Sequence, residues 1–147
     1  MNTEYDLSVN NQAAEHNYVE PVITATAVAE SNRLGFLPKH FGPRLMSQGE
    51  SLVFAYIRYL ADNYNGGMWE FYELSNGGFY LAPKRDTLNL SVGTVSGDAA
   101  GIIATMYALN HMMCNGEQCE KLRENYFRLR DFAYQHTQSN LIHRAID

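Results

Sequence analysis

The 147-residue chain has little cysteine, no surplus of basic charge and no long hydrophobic run. Its two cysteines, Cys114 and Cys119, flank a short loop around Asn115-Gly116. One pair makes no disulfide framework, and four metal ligands are not in sight. Both are expected to be free thiols in a reducing cytoplasm. The five histidines add no metal site. Only His111 stands close to the cysteines, and it falls near the end of a helix expected in the core. No apolar run approaches the ~20 residues that span a bilayer, so no membrane partner is expected. Met1–Glu20 has neither the basic region nor the apolar core of a secretory signal. Repeats and low-complexity tracts are also missing. The expectation is a cytoplasmic globular protein of one domain.

The charge balance excludes more. Of a formal net charge of −5, Glu4, Asp6, Glu15 and Glu20 supply four units without a single basic neighbour in residues 1–20. That stretch is polar and lacks periodic apolar content. It is expected to be a flexible acidic arm at 1–20, ahead of one folded domain at 21–147. The domain then holds 12 acidic against 11 basic residues, a net of −1. Duplex DNA carries one negative charge per ~1.7 Å of axis, and a body at −1 cannot lay down such a track. It has no basic footprint for phosphates either. Neither bulk imitation of DNA nor strong DNA binding is expected.

What the chain does have is aromatic side chains, 18 in all with 10 tyrosines. They concentrate between Gly66 and Pro83. Two aromatic runs, about 68–74 and 78–83, are separated by Ser75-Asn76-Gly77-Gly78, whose Asn and Gly accept the positive φ of a hairpin turn. Thr87–Val92 alternates Leu88, Leu90 and Val92 with polar residues and reads as a third strand. Together these predict a three-stranded antiparallel β-meander. Upstream, Pro21–Val28 reads as a strand or an extended lead-in. A short helix or turn is expected over 32–37, then an irregular loop between Pro38 and Pro43. Ser47-Gln48-Gly49-Glu50 reads as a capping box for a helix ending near Asp62. Ser96 or Asp98 caps a helix that is apolar nearly all round and hence central. A charged helix at about 117–136, with pairs Glu117/Lys121 and Glu124/Arg128, and a short one at 139–145 complete the chain. The fold class is α+β, the sheet packed by four to five α-helices.

A search for catalytic chemistry returns none. Ser51 and Ser96 lack the surroundings of a nucleophile elbow. Gly66-Gly67 and Gly77-Gly78 lack the spacing of a phosphate loop. Glu70 and Glu73 stand three apart on a strand, which points them to opposite faces rather than into one dyad. Asp98 reads as a cap. No catalytic residue and no cofactor are expected. A rival reading, a small hydrolase, needs a pocket joining residues such as His40, Glu70 and Asp98. A second rival is a single-stranded nucleic-acid binder that stacks bases on the hairpin aromatics. Trp69, Phe71, Tyr72, Phe79 and Tyr80 occupy both faces of the hairpin. One face enters the core; the other is covered by the N-terminal segment or the His40 loop, or else exposed as an interface.

The run Gly66-Gly67-Met68-Trp69-Glu70-Phe71-Tyr72-Glu73 through Pro83, with Phe36–Gly42, Gly49–Val53 and Ser96–Ile102, resembles the antirestriction proteins of the ArdB/KlcA family. Those small plasmid- and island-borne proteins protect incoming DNA from type I restriction enzymes. The resemblance spans about residues 21–147. It implies an antirestriction protein, not an enzyme, that acts on or near the type I restriction–modification complex, directly or indirectly, and largely spares methylation. Family members are not understood as DNA mimics. The residues chosen as its interaction surface are His40, Trp69, Glu70, Tyr72, Glu73 and Asp147. A homodimer through the aromatic hairpin stays open.

Overall fold

The fold is built around the aromatic hairpin. In this computed structural model, which describes residues 20–116 and 119–147, β2 (Trp69–Leu74) and β3 (Phe79–Pro83) pair antiparallel with Tyr72 opposite Tyr80. The turn depends on Asn76 and Gly77. The Asn76 side chain accepts from the Gly78 N–H at 3.0 Å, and Gly77 takes φ of +91°. Apart from Glu20, the acidic arm lies outside the described residues, as does Glu117 of the Glu117/Lys121 pair.

The three-stranded antiparallel sheet is present, but its third strand comes from the other end of the chain. β1 (Ala25–Ala27) pairs with β2, with Thr26 opposite Glu73, giving the order β1-β2-β3. The strand reading of Pro21–Val28 therefore holds, and Thr87–Val92 does not join the sheet. Its residues form β4 (Thr87–Leu90), which turns at Ser91-Val92 and pairs with β5 (Gly93–Ser96) as a separate hairpin. The reason lies on the outer edge of β3. A helix, α3 (Gly97–Cys114), runs along that edge and leaves no room for another strand. Thr105, fully buried, accepts from the Leu81 N–H at 3.2 Å and donates to the Leu81 carbonyl at 3.4 Å. The outward backbone groups of Leu81 on this edge are thus satisfied by a side chain.

A 3-10 turn (Glu30–Gly35) leads into α1 (Phe36–Phe41), where an irregular loop was expected. Pro38 does not prevent this, because it sits in the first turn, where its missing N–H has no helical partner to lose. Gly42, at φ +85°, ends the helix. The next helix, α2 (Met46–Leu60), has Leu45 at its cap position and no side-chain cap bond, so the Ser47–Glu50 capping box does not form. Its start is set by packing instead. Phe41 lies against Gly49 so closely that a Cβ there would fall on the ring.

Ser96 does cap α3, its hydroxyl accepting from the Ala99 N–H at 3.0 Å. Along α3, Ile102, Ile103, Met106, Leu109 and Met112 are all buried, as a helix apolar on every side requires. Two further helices, α4 (Glu120–Gln135) and α5 (Ser139–Ile146), pack on it and on each other, and α4 also reaches β3. The Glu124/Arg128 pair is formed at 3.5 Å. Among the described residues no helix is long and apolar enough to cross a membrane.

Candidate functional site

Strand alternation sends the two carboxylates of β2 to different surroundings. Glu73 meets α1. Its Oε1 accepts from Lys39 Nζ at 2.9 Å and lies 3.2 Å from His40 Nε2. The His40 ring is buried, stacked on Phe79 at 4.6 Å between ring centroids. Its backbone carbonyl accepts from Asn125 Nδ2 at 2.9 Å, which locks α1 to α4. Burial holds the His40 imidazole below the ordinary histidine range, against the pull of Glu73. The Lys39 ammonium, more than His40, holds Glu73 below the usual carboxylate range.

Glu70 is gripped by two cations, Lys84 at 2.7 Å and Arg33 at 3.4 Å. Beside it opens a shallow depression of about 340 Å³ shared by Glu70, Tyr72, Lys84, Arg85 and Asp98. Asp98 is not a helix cap. Its Oδ1 accepts from the Tyr80 hydroxyl at 2.6 Å, and its Oδ2 lies 2.9 Å from His136 Nε2. His136 Nδ1 accepts from the Gln138 N–H at 3.0 Å, so the imidazole proton sits on Nε2 and is donated to Asp98. Both ring nitrogens are engaged, and this carboxylate–imidazole pair ties the end of α4 to the start of α3. Burial, then Asp98, raises the Tyr80 phenol far above its ordinary value. Tyr72 stacks on Tyr80 at 4.8 Å, and burial with Asp98 and Glu70 raises its phenol as well.

The six residues singled out in the sequence therefore do not form one site. His40 and Glu73 meet at α1, and Glu70 and Tyr72 share the depression. Trp69 is a core side chain, 9% exposed, whose Nε1–H donates to the Tyr64 hydroxyl at 3.0 Å. Asp147 stands apart, exposed after α5. The three residues named for a hydrolase pocket are not brought together: Glu70 and Asp98 line one depression, whereas His40 meets Glu73 beside α1. Other side chains pack on both faces of the hairpin, with Tyr72 left half-exposed at the depression. Phe36 and His40 lie over one, and Phe132 stacks on Tyr80 over the other. The His40 segment thus provides one of the covers foreseen, and α4 provides the one not foreseen. Sequence reading missed the Asp98–Tyr80–His136 cluster because its members are 18 and 38 residues from Asp98.

A family model described as antirestriction protein matches residues 62–147, which takes in the hairpin, the depression and all of α3 to α5. The antirestriction protein KlcA of Escherichia coli is 45% identical over 141 residues, covering 89% of this chain and 99% of that one. This chain belongs to the ArdB/KlcA family of antirestriction proteins. A solved structure, described as that of KlcA and ArdB proteins with a novel fold, superposes with a TM-score of 0.78 at 44% identity. It covers 89% of this chain and 99% of its own. Those KlcA and ArdB proteins are described as active against type I DNA restriction systems in vivo but not in vitro. The uncharacterized protein YfjX of E. coli K12 is 36% identical over 156 residues, spanning 99% of this chain and 97% of its own length. Within the family match lie Glu70, Tyr72, Glu73, Asp98, His136 and Asp147; His40 lies before it.

Proposed function

We propose that this chain relieves type I restriction of incoming DNA, and that it does so through protein contacts rather than by imitating or coating DNA. The observation that carries the proposal is the 45% identity to KlcA over nearly the whole of both chains. The charge balance supports the second half: residues 21–147 sum to −1, too little for a mimic of the duplex. Activity in vivo but not in vitro, described for the KlcA and ArdB proteins, favours an indirect route. In that route the restriction–modification enzyme is affected through another component of the cell.

The half-exposed polar groups around the hairpin, Glu70, Tyr72 and Glu73, are proposed as part of the contact surface, with buried His40 holding Glu73 in place. The test is the plating efficiency of an unmodified phage on a type I-restricting host and on a restriction-deficient one, with and without the protein. A rise on the restricting host alone, of about tenfold or more, is expected. No rise, with soluble protein present in the cells, refutes the proposal.

A further inference from the structure

The outward side of α4 carries an exposed cluster of arginine and aromatic side chains, of which only Tyr134 stacks on a neighbouring element, against His143 of α5. Phe127 is 38% exposed, and the guanidinium carbons of Arg123 and Arg130 lie 5.8 Å and 4.7 Å from its ring centroid. Tyr134, 61% exposed, follows one turn on. Spacings of four, three and four put all four side chains in one stripe along the helix. Arg33, Lys39, Lys84 and Arg128 each sit on a carboxylate. Arg123 and Arg130 do not: among the described residues neither has an ion-pair partner, and the Arg130 Nε is buried without a hydrogen bond. Arginine and aromatic side chains dominate the energetic centres of protein interfaces. The guanidinium fork also takes a carboxylate through two parallel hydrogen bonds.

We propose that this stripe is a docking surface for an acidic protein segment. The segment would present two carboxylates about two helical turns, ~10 Å, apart, with an apolar side chain between them to cover Phe127. Charge complementarity decides the occupant, since two arginines without counter-ions among the described residues flank the exposed Phe127 ring. Single-stranded nucleic acid fits less well, because two arginines on a domain of net charge −1 make no continuous basic track for a row of phosphates. The inference goes beyond the antirestriction reading and does not depend on it.

The test is a fluorescence-anisotropy titration of the full chain against a short labelled peptide with glutamates flanking a central leucine. A lysine version of the peptide and oligo-dT serve as comparators. The glutamate peptide is expected to bind and the lysine version not to. Arg123→Glu and Arg130→Glu are each expected to weaken binding about tenfold, and Phe127→Ala to weaken it as well. Arg58→Glu, an equal charge change on α2, should leave it unchanged. Circular dichroism and melting check each variant. Where a reversal lowers stability, Arg123→Lys and Arg130→Lys carry the test, since lysine keeps the charge but loses the fork, and a loss is still expected. No binding of the glutamate peptide overturns the proposal, and so does binding that the variants leave unaltered. Tighter binding of oligo-dT, lost in the same variants, would assign the stripe to nucleic acid instead.

Discussion

His40 is where solution conditions act most directly on a single residue. Burial keeps its folded pKa below the ordinary value, so the unfolded chain takes up that proton first as the pH falls. The stability tied to neutral His40 is therefore complete above about 6.5, the unfolded value, and is lost as the pH drops below it. Glu73 follows the same sign lower down. Its depressed pKa contributes stability that is present above the ordinary carboxylate value and lost as the pH falls through the folded one. Melting temperatures of the wild type should be level above neutrality and fall towards pH 5. His40→Gln should be less stable throughout, with a shallower fall in that window. An unaltered slope in the variant would mean that another group carries it.

At the scale of elements, the contact that organises the fold is α3 against the edge of β3. A Cβ at Gly101 would fall on the Leu81 carbonyl and the Ala82 Cα, backbone atoms that cannot swing away. Alanine is a better helix former than glycine by about 1 kcal/mol, yet overpacking costs about 1–3 kcal/mol. Gly101→Ala is expected to be the less stable protein, with a lower urea midpoint. A higher midpoint would show that the helix and strand do not lie this close. This same contact explains what the sequence could and could not disclose. The hairpin and its Asn turn, the Ser96 cap and the all-apolar helix were legible because each depends on neighbours a few residues away. Which segment completes the sheet was not, because Ala25–Ala27 is too short to show an alternation and β4 shows a clear one. Only the helix packed on β3, unseen in local pattern, decides between them. The polar clusters escaped for the same reason. Asp98 reads locally as a cap, and its true partners, Tyr80 and His136, come from β3 and the end of α4.

At the scale of the whole molecule, the chain carries a net charge of −5, only −1 of it in residues 21–147, in a family defined by its effect on DNA-processing enzymes. Gel-shift assays with duplex DNA at moderate salt should show no complex at micromolar protein. Even weak, non-specific binders reach dissociation constants of ~10⁻⁴–10⁻⁶ M only by neutralising several phosphates. A shift that fades steeply with added salt would contradict that expectation. The sheet has a property of its own at this scale. Its β3 edge is closed by Thr105, while among the described residues the β1 edge carries no further strand. Growth of this sheet by strand addition is therefore possible in one direction only. Two copies joined edge to edge through β1 would use up both free edges, so such an assembly ends at a pair and cannot propagate into a fibre.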